Sequence, residues 1–178
     1  MNALVSEGLT LLKESEKLYL TPYYDVNGWA IGYGMHYYSN GTIVKQTDKI
    51  TKAFAESEFK KVVSSFGSQV SKLLTKKVND YQFTALVSYS YNRGIGAFRG
   101  STLLKMVNKN PNDSAIPAQF VKEWGTNNTY KNGLITRRKT EAALYVKGSG
   151  VNGNVQVFLT VLSTVAIAYF VYIKFIKA

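Results

Sequence analysis

The sequence predicts an α+β protein of two lobes, a small β-hairpin lobe followed by a larger helical lobe, continued by a single C-terminal transmembrane helix. Three observations predict it. Asn27-Gly28 stands between two short aromatic and β-branched runs, the strongest two-residue hairpin signal. Apolar residues at helical spacing then dominate as far as residue 146. All 11 acidic residues lie before position 142, and no charge occurs from 148 to 173. That break divides the chain into a domain (1–147), a linker (148–154) and a terminal segment (155–178).

Leu4, Leu9, Leu11, Leu12 and Leu18 outline an amphipathic first helix ending near residues 17–19. Residues 23–26 and 29–33 form the hairpin arms. With Asn27-Gly28 as its loop, Val26 pairs with Trp29 and Asp25 with Ala30, so the side chains of Asp25 and Ala30 share a face. Ala55, Phe59, Val62, Val63 and Phe66 recur on one face of a second helix. Asn79 and Gln82 have the spacing of a capping box that opens a third, running through Tyr91. Further helices are predicted over 101–107, with Ser101 as N-cap, over 117–124, with Pro117 in the first turn, and over 134–146, with Gly133 as the break before it.

G-S-G-V-N-G-N, residues 148–154, has the composition of a flexible tether. The nineteen residues that follow, 155–173, span about 28 Å as a helix at about 1.5 Å per residue, close to the hydrocarbon thickness of a bilayer. Only Gln156, Thr160, Ser163 and Thr164 interrupt their apolar character, too scattered to make the polar face of a core helix. Tyr169 and Tyr172 suit an interfacial belt, and Lys174 and Lys177 supply flanking charge. Residues 1–20 lack the basic start and apolar run of a secretory signal peptide.

Of 178 residues, 46% are apolar and 13% aromatic, enough for a packed core. With no cysteine, disulfides, thiol chemistry and sulfur-ligated zinc are excluded. The single histidine, His36, argues against a multi-histidine metal centre, so neither metal nor cofactor is expected. Catalysis must rest on carboxylates. The net charge is +11, and +9 within residues 1–147, which predicts an anionic partner. The lysines are dispersed without a basic motif, so nucleic acid is not the partner expected.

The best placed carboxylates are Glu16, at the end of the first helix, and Asp25, two residues before the hairpin turn. On residue type alone, a helix-surface ion pair with a lysine accounts for Glu16 and turn stabilisation for Asp25. Their surroundings add more. E-K-L-Y-L-T-P-Y-Y-D-V-N-G-W-A-I-G-Y-G-M-H, residues 16–36, resembles the active-site segment of bacteriophage-type lysozymes and endolysins. In that family an aspartate follows a glutamate by nine residues and a T-I-G-Y-G-H hairpin comes next. Y-Q-F-T-A-L-V-S-Y-S-Y-N-R-G-I-G-A-F from Tyr81, S-T-L-L-K from Ser101, F-V-K-E-W ending at Trp124 and G-L-I-T-R-R-K-T-E from Gly133 follow in the family's order. The resemblance covers residues 7–147. Glu7 and Glu14 stand eighteen and eleven residues from Asp25, which rejects both as the glutamate of this pattern.

The resemblance implies a lysozyme-like fold with a cleft between the lobes. It also implies cleavage of the β-1,4 bond between N-acetylmuramic acid and N-acetylglucosamine in peptidoglycan. Glu16 would be the general acid that protonates the leaving oxygen, and Asp25 the carboxylate that activates water or stabilises an oxocarbenium-like state. Tyr91, Asn92 and Ser101 match positions near the sugar-binding cleft, although core packing explains Tyr91 and helix capping Ser101 equally well. Trp124 reads as core, and Arg137 and Arg138 as helix pairing with Glu141. Together with the apolar segment, the resemblance implies a membrane-anchored muralytic enzyme whose catalytic domain faces the wall, in a virion membrane or the host inner membrane. Its expected partners are peptidoglycan strands, a lipid bilayer at residues 155–173 and virion proteins.

The chain departs from the pattern in four places. Ala30 stands where the family has threonine, and the segment leading to it from the aspartate is one residue shorter. By the resemblance the threonine hydroxyl helps hold the attacking water, and losing such a bond costs about 1–3 kcal/mol, roughly ten- to a hundredfold in rate. Slower hydrolysis is one expectation. A lytic transglycosylase giving 1,6-anhydro products, or a catalytically dead peptidoglycan-binding protein, are the alternatives. Met35 is inserted before His36, so no catalytic role is assigned to His36, and Lys17 stands where glycine is common.

Overall fold

The computed structural model describes residues 2–123 and 131–147. Trp124, the 148–154 linker and the 155–173 segment lie outside the described residues. Among those described, no helix is long and apolar enough to cross a membrane.

The first helix, α1 (Ser6–Glu16), buries Gly8 and Leu12. Gly8 permits close approach: a Cβ there would stand 2.3 Å from Thr84 Cγ2 and 2.9 Å from Leu144 Cδ2. The hairpin β1 (Tyr19–Asp25) and β2 (Gly28–Gly32) follows. Its turn lies one residue earlier than the sequence expectation, which moves every strand partner by two residues. Asp25 pairs with Gly28, Tyr24 with Trp29 and Tyr23 with Ala30, so the central turn residues are Val26 and Asn27. The cause is local: the Asn27 N–H donates to Asp25 Oδ1 at 2.8 Å, an Asx turn that makes Asp25 the first residue of the bend. Gly28, at φ +119°, opens β2 rather than closing the turn. Asp25 and Ala30 still share a face, as diagonal rather than direct neighbours. The ladder is irregular between Tyr19 and Tyr23, where Pro22 has no N–H to contribute.

After β2 the chain doubles back. Ile31 and Met35 exchange two backbone hydrogen bonds of 3.0 Å around Gly32 and Gly34, whose φ values are +64° and +76°. Tyr37 then bridges to Ile43. The 22-residue α2 (Lys52–Leu73) carries the chain from the small lobe to the large one. Near its start Phe59 packs on Tyr33, and further along Gly67 lies against Phe83. The predicted face is buried at Ala55, Phe59 and Val63 and extends to Val70.

The large lobe is built around α3 (Asp80–Arg93), which is buried at every position from Gln82 to Ser90, as a central helix must be. Its capping box is formed as predicted, with Asn79 Oδ1 accepting from the Gln82 N–H and Gln82 Oε1 from the Asn79 N–H. Around it lie α4 (Ile95–Gly100), α5 (Thr102–Lys109), α6 (Ile116–Lys122) and α7 (Lys131–Val146). Tyr89, Phe98, Phe120 and Tyr145 join these helices through successive ring contacts of 5.4–6.1 Å. The short α4 has no counterpart in the sequence expectation, since I-G-A-F-R-G has weak helical preference and is held by the fully buried Phe98. Gly133 does not break the chain but sits in the first turn of α7, where the packing of the following turns outweighs a cost of about 1 kcal/mol.

Candidate active site

Glu16 is the last residue of α1. The next residue, Lys17, adopts φ +55° and ψ 163°, a region that favours glycine, and turns the chain directly into β1. The Glu16 side chain is therefore held at the end of a rigid helix, 17% exposed, and its Oε1 is ion-paired with Arg137 Nη1 of α7. An arginine N–H can only donate, so Oε1 is an acceptor and a transferable proton belongs on Oε2. That oxygen faces Gly34, where a Cβ would stand 2.9 Å from it. A side chain at Gly34 would displace the carboxyl.

Arg137 is itself anchored. Its Nε contacts Glu141 Oε1 at 3.3 Å and its Nη2 donates to the Ser88 carbonyl at 3.4 Å. Burial pulls the guanidinium pKa down, but the carboxylates of Glu16 and Glu141 outweigh it and push it up. Glu141 also accepts from Ser88 Oγ at 2.9 Å and from Arg138 Nη2 at 3.1 Å. Arg138 is fully buried beneath the Tyr89 ring and donates at 2.8 Å to Asn92 Oδ1.

Asp25 stands at the hairpin turn with its side chain 34% exposed. Oδ1 accepts from the Asn27 N–H, and Oδ2 lies 3.4 Å from His36 Nε2. Tyr23, two residues earlier on the same face, is within electrostatic reach of both carboxylates. Burial pushes its phenol pKa up, and Asp25 and then Glu16 add to the rise. Glu16, at the end of a helix, and Asp25, at the end of a strand, thus both act on the Tyr23 phenol. Among the described residues no group of three His, Asp or Glu side chains is placed to hold a metal ion.

The other predicted residues have defined places. Tyr91 donates from its hydroxyl to the Tyr33 carbonyl at 2.6 Å, fastening α3 to the small lobe, and packs against Phe59 and Phe66. Burial and then Glu16 raise its phenol pKa. Asn92 is half-buried, and because Arg138 occupies its Oδ1, its amide N–H groups are the part left to donate. Ser101 is buried and caps α5: its hydroxyl donates to the Phe98 carbonyl at 2.8 Å and accepts from the Leu104 N–H at 3.0 Å. Sequence reasoning missed Arg137 and His36. The i,i+4 spacing of Arg137 and Glu141 is satisfied within one helix and gives no sign of a contact 121 residues away. The inserted Met35 displaces His36 from the family's position, yet the Gly-Tyr-Gly turn returns it beside the hairpin.

The phage lysozyme family model matches residues 13–141. Over 149 residues the chain is 37% identical to an endolysin of Bacillus phage PZA, an alignment covering 82% of this chain and 55% of that protein. The chain spans about half the length of the Bacillus phage endolysins it matches. Among solved structures, an endolysin from Escherichia coli O157:H7 phage FAHEc1 superposes with a TM-score of 0.71 at 34% identity, covering 81% of this chain and 93% of that one. The muramidase domain of SpmX from Asticaccaulis excentricus gives the same TM-score at 26% identity, covering 82% and 99%. The match takes in both carboxylates and Arg137, and the chain belongs to the phage lysozyme family.

Proposed function

We propose that the chain is a peptidoglycan-degrading muramidase of endolysin type, cleaving the β-1,4 bond between N-acetylmuramic acid and N-acetylglucosamine. The observation that carries this reading is the arrangement of Glu16, with Oε1 fixed by Arg137 and Oε2 turned toward Gly34. Glu16 Oε2 protonates the glycosidic oxygen as the bond to the leaving sugar breaks. Asp25 faces the developing positive charge at the anomeric carbon and takes the proton of the water that attacks it. The names of the relatives, endolysins and a muramidase domain, support the same substrate.

A second reading is favoured by Ala30. It is fully buried opposite Tyr23 and brings no hydroxyl to the Asp25 face. In this lytic transglycosylase reading the muramyl 6-hydroxyl attacks in place of water. Residues 155–173 anchor the enzyme in a bilayer, the host inner membrane or that of a lipid-containing virion, with the 148–154 tether letting the catalytic domain reach the wall at infection or lysis. Digestion of purified peptidoglycan by the full chain in detergent, with mass spectrometry of the products, separates the readings. Reducing muramic acid ends are expected. Anhydro ends would establish the transglycosylase, and binding without release would overturn both.

A further inference from the structure

His36 is the chain's one histidine, and its ring bridges two elements of the hairpin. His36 follows Met35, whose bridge to Ile31 returns the chain alongside the end of β2. Residues directly opposite on neighbouring strands project to the same face. Tyr23, Asp25, Gly28 and Ala30 therefore share one face. Gly28 has no side chain and Ala30 only a methyl, and the imidazole comes within 3.4 Å of the Asp25 carboxylate. At its other edge the ring is hinged: Nδ1 lies 3.2 Å from the Trp29 carbonyl. A carbonyl only accepts, so Nδ1 donates to Trp29, and Nε2, 3.4 Å from Asp25 Oδ2, donates to that oxygen when the ring carries both hydrogens, as an imidazolium paired with the carboxylate.

Among the described residues, the Asn27 N–H on Oδ1 and His36 on Oδ2 are the polar partners of Asp25. One is local and sets the turn, whereas the other comes from a separate segment and fixes the rotation of the carboxylate about its own axis. We propose that His36 is a positioning residue for Asp25, clamping Oδ2 from the Trp29 hinge so that the carboxylate keeps one orientation toward the reacting sugar. The inference rests on the reading that Asp25 acts in glycan cleavage. The pattern that supports it is that of a nucleophile or base oriented by a third group. A displacement of about 1 Å in such a group costs about a hundredfold in rate.

The test uses the full chain in detergent, with steady-state kinetics on solubilised peptidoglycan fragments and thermal melting of every variant. His36→Leu, which fills the space without a donor, is expected to lower kcat by about 10- to 100-fold with KM unchanged. His36→Gln, whose side-chain amide can donate to Oδ2, should recover most of that loss. Asp25→Asn should lose more than His36→Leu, and adding His36→Leu to it should cost nothing further, because the clamp has lost its carboxylate. The single imidazole also gives an unambiguous nitrogen NMR signal, whose Nε2 resonance should move in Asp25→Asn.

Wild-type kcat in His36→Leu with Asp25→Asn inactive would overturn the positioning role and leave the muramidase reading intact. A kcat loss that tracks the melting temperature and is not rescued by glutamine would also overturn it, by making His36 merely structural. Full activity in Asp25→Asn would instead refute the reading on which the inference rests.

Discussion

At the scale of single residues, the site is shaped by two backbone positions flanking the Glu16 carboxylate. Lys17 holds φ +55° and ψ 163°, a conformation that costs a non-glycine residue about 1–3 kcal/mol. Glycine there would relieve that strain while losing roughly 0.5–1 kcal/mol to the freer unfolded chain. Lys17→Gly is therefore expected to stabilise the protein by about 1 kcal/mol, a rise of about 2–4 °C in melting temperature by calorimetry. An unchanged or lower value would show that the strain is absent. Gly34 acts on the other side. With φ at +76° and only 2.9 Å between the place a Cβ would take and Glu16 Oε2, a methyl group fits only if the carboxylate shifts. Gly34→Ala should lower kcat about 10- to 100-fold by displacing the acid, measurable as release of soluble glycan.

At the scale of elements, α7 connects stability to chemistry. Glu141 is 3% exposed and holds both arginines, of which Arg138 has no exposed surface and Arg137 reaches Glu16. Removing one partner of a buried ionic group leaves an uncompensated charge and costs about 3–5 kcal/mol. Glu141→Ala is expected to lose that much in denaturant unfolding. A loss under about 1 kcal/mol would mean that the arginines find water. The helices α1, α2 and α3 were legible because each has its own signal: the leucine run, the Phe59 and Val63 face, the Asn79 and Gln82 box. The hairpin was legible as an element but not in register, since Asn27-Gly28 advertises one turn while the Asp25 side chain selects another. The helix α4 and the first turn of α7 are held by packing that no local sequence window contains.

At the scale of the molecule, the small lobe is tied down by carboxylates. Burial pushes the Glu58 carboxyl pKa up, but the hydrogen bonds from Lys61 and from the Ser39 N–H and hydroxyl outweigh it and hold it below its ordinary 4.5. Lys13 and Tyr33 lower Glu56 in the same way, and the Lys45 N–H and Tyr38 lower Asp48. In each case the folded pKa lies below the unfolded one. The stability these bonds give is full above the unfolded value and is lost as pH falls through the folded value. Melting temperature is therefore expected to be level near neutrality and to fall below about pH 4.5. The gap between wild type and Glu58→Gln should close over the same range. A gap constant with pH would contradict the assignment.

The two lobes were legible in the hairpin signal and in the motifs that follow it, and the nine-residue spacing singled out Glu16 and Asp25 as the candidate pair. Arg137 and His36 were not, because each reaches its carboxylate through the fold rather than along the chain. The central claim, that Glu16 is the proton donor of a glycan-cleaving site, is tested most directly by comparing the full chain with Glu16→Gln for soluble glycan released from purified peptidoglycan. Melting curves should accompany both. The account predicts a fall of about 10²- to 10⁴-fold with the protein still folded. Release at the wild-type rate by a folded Glu16→Gln variant would contradict it.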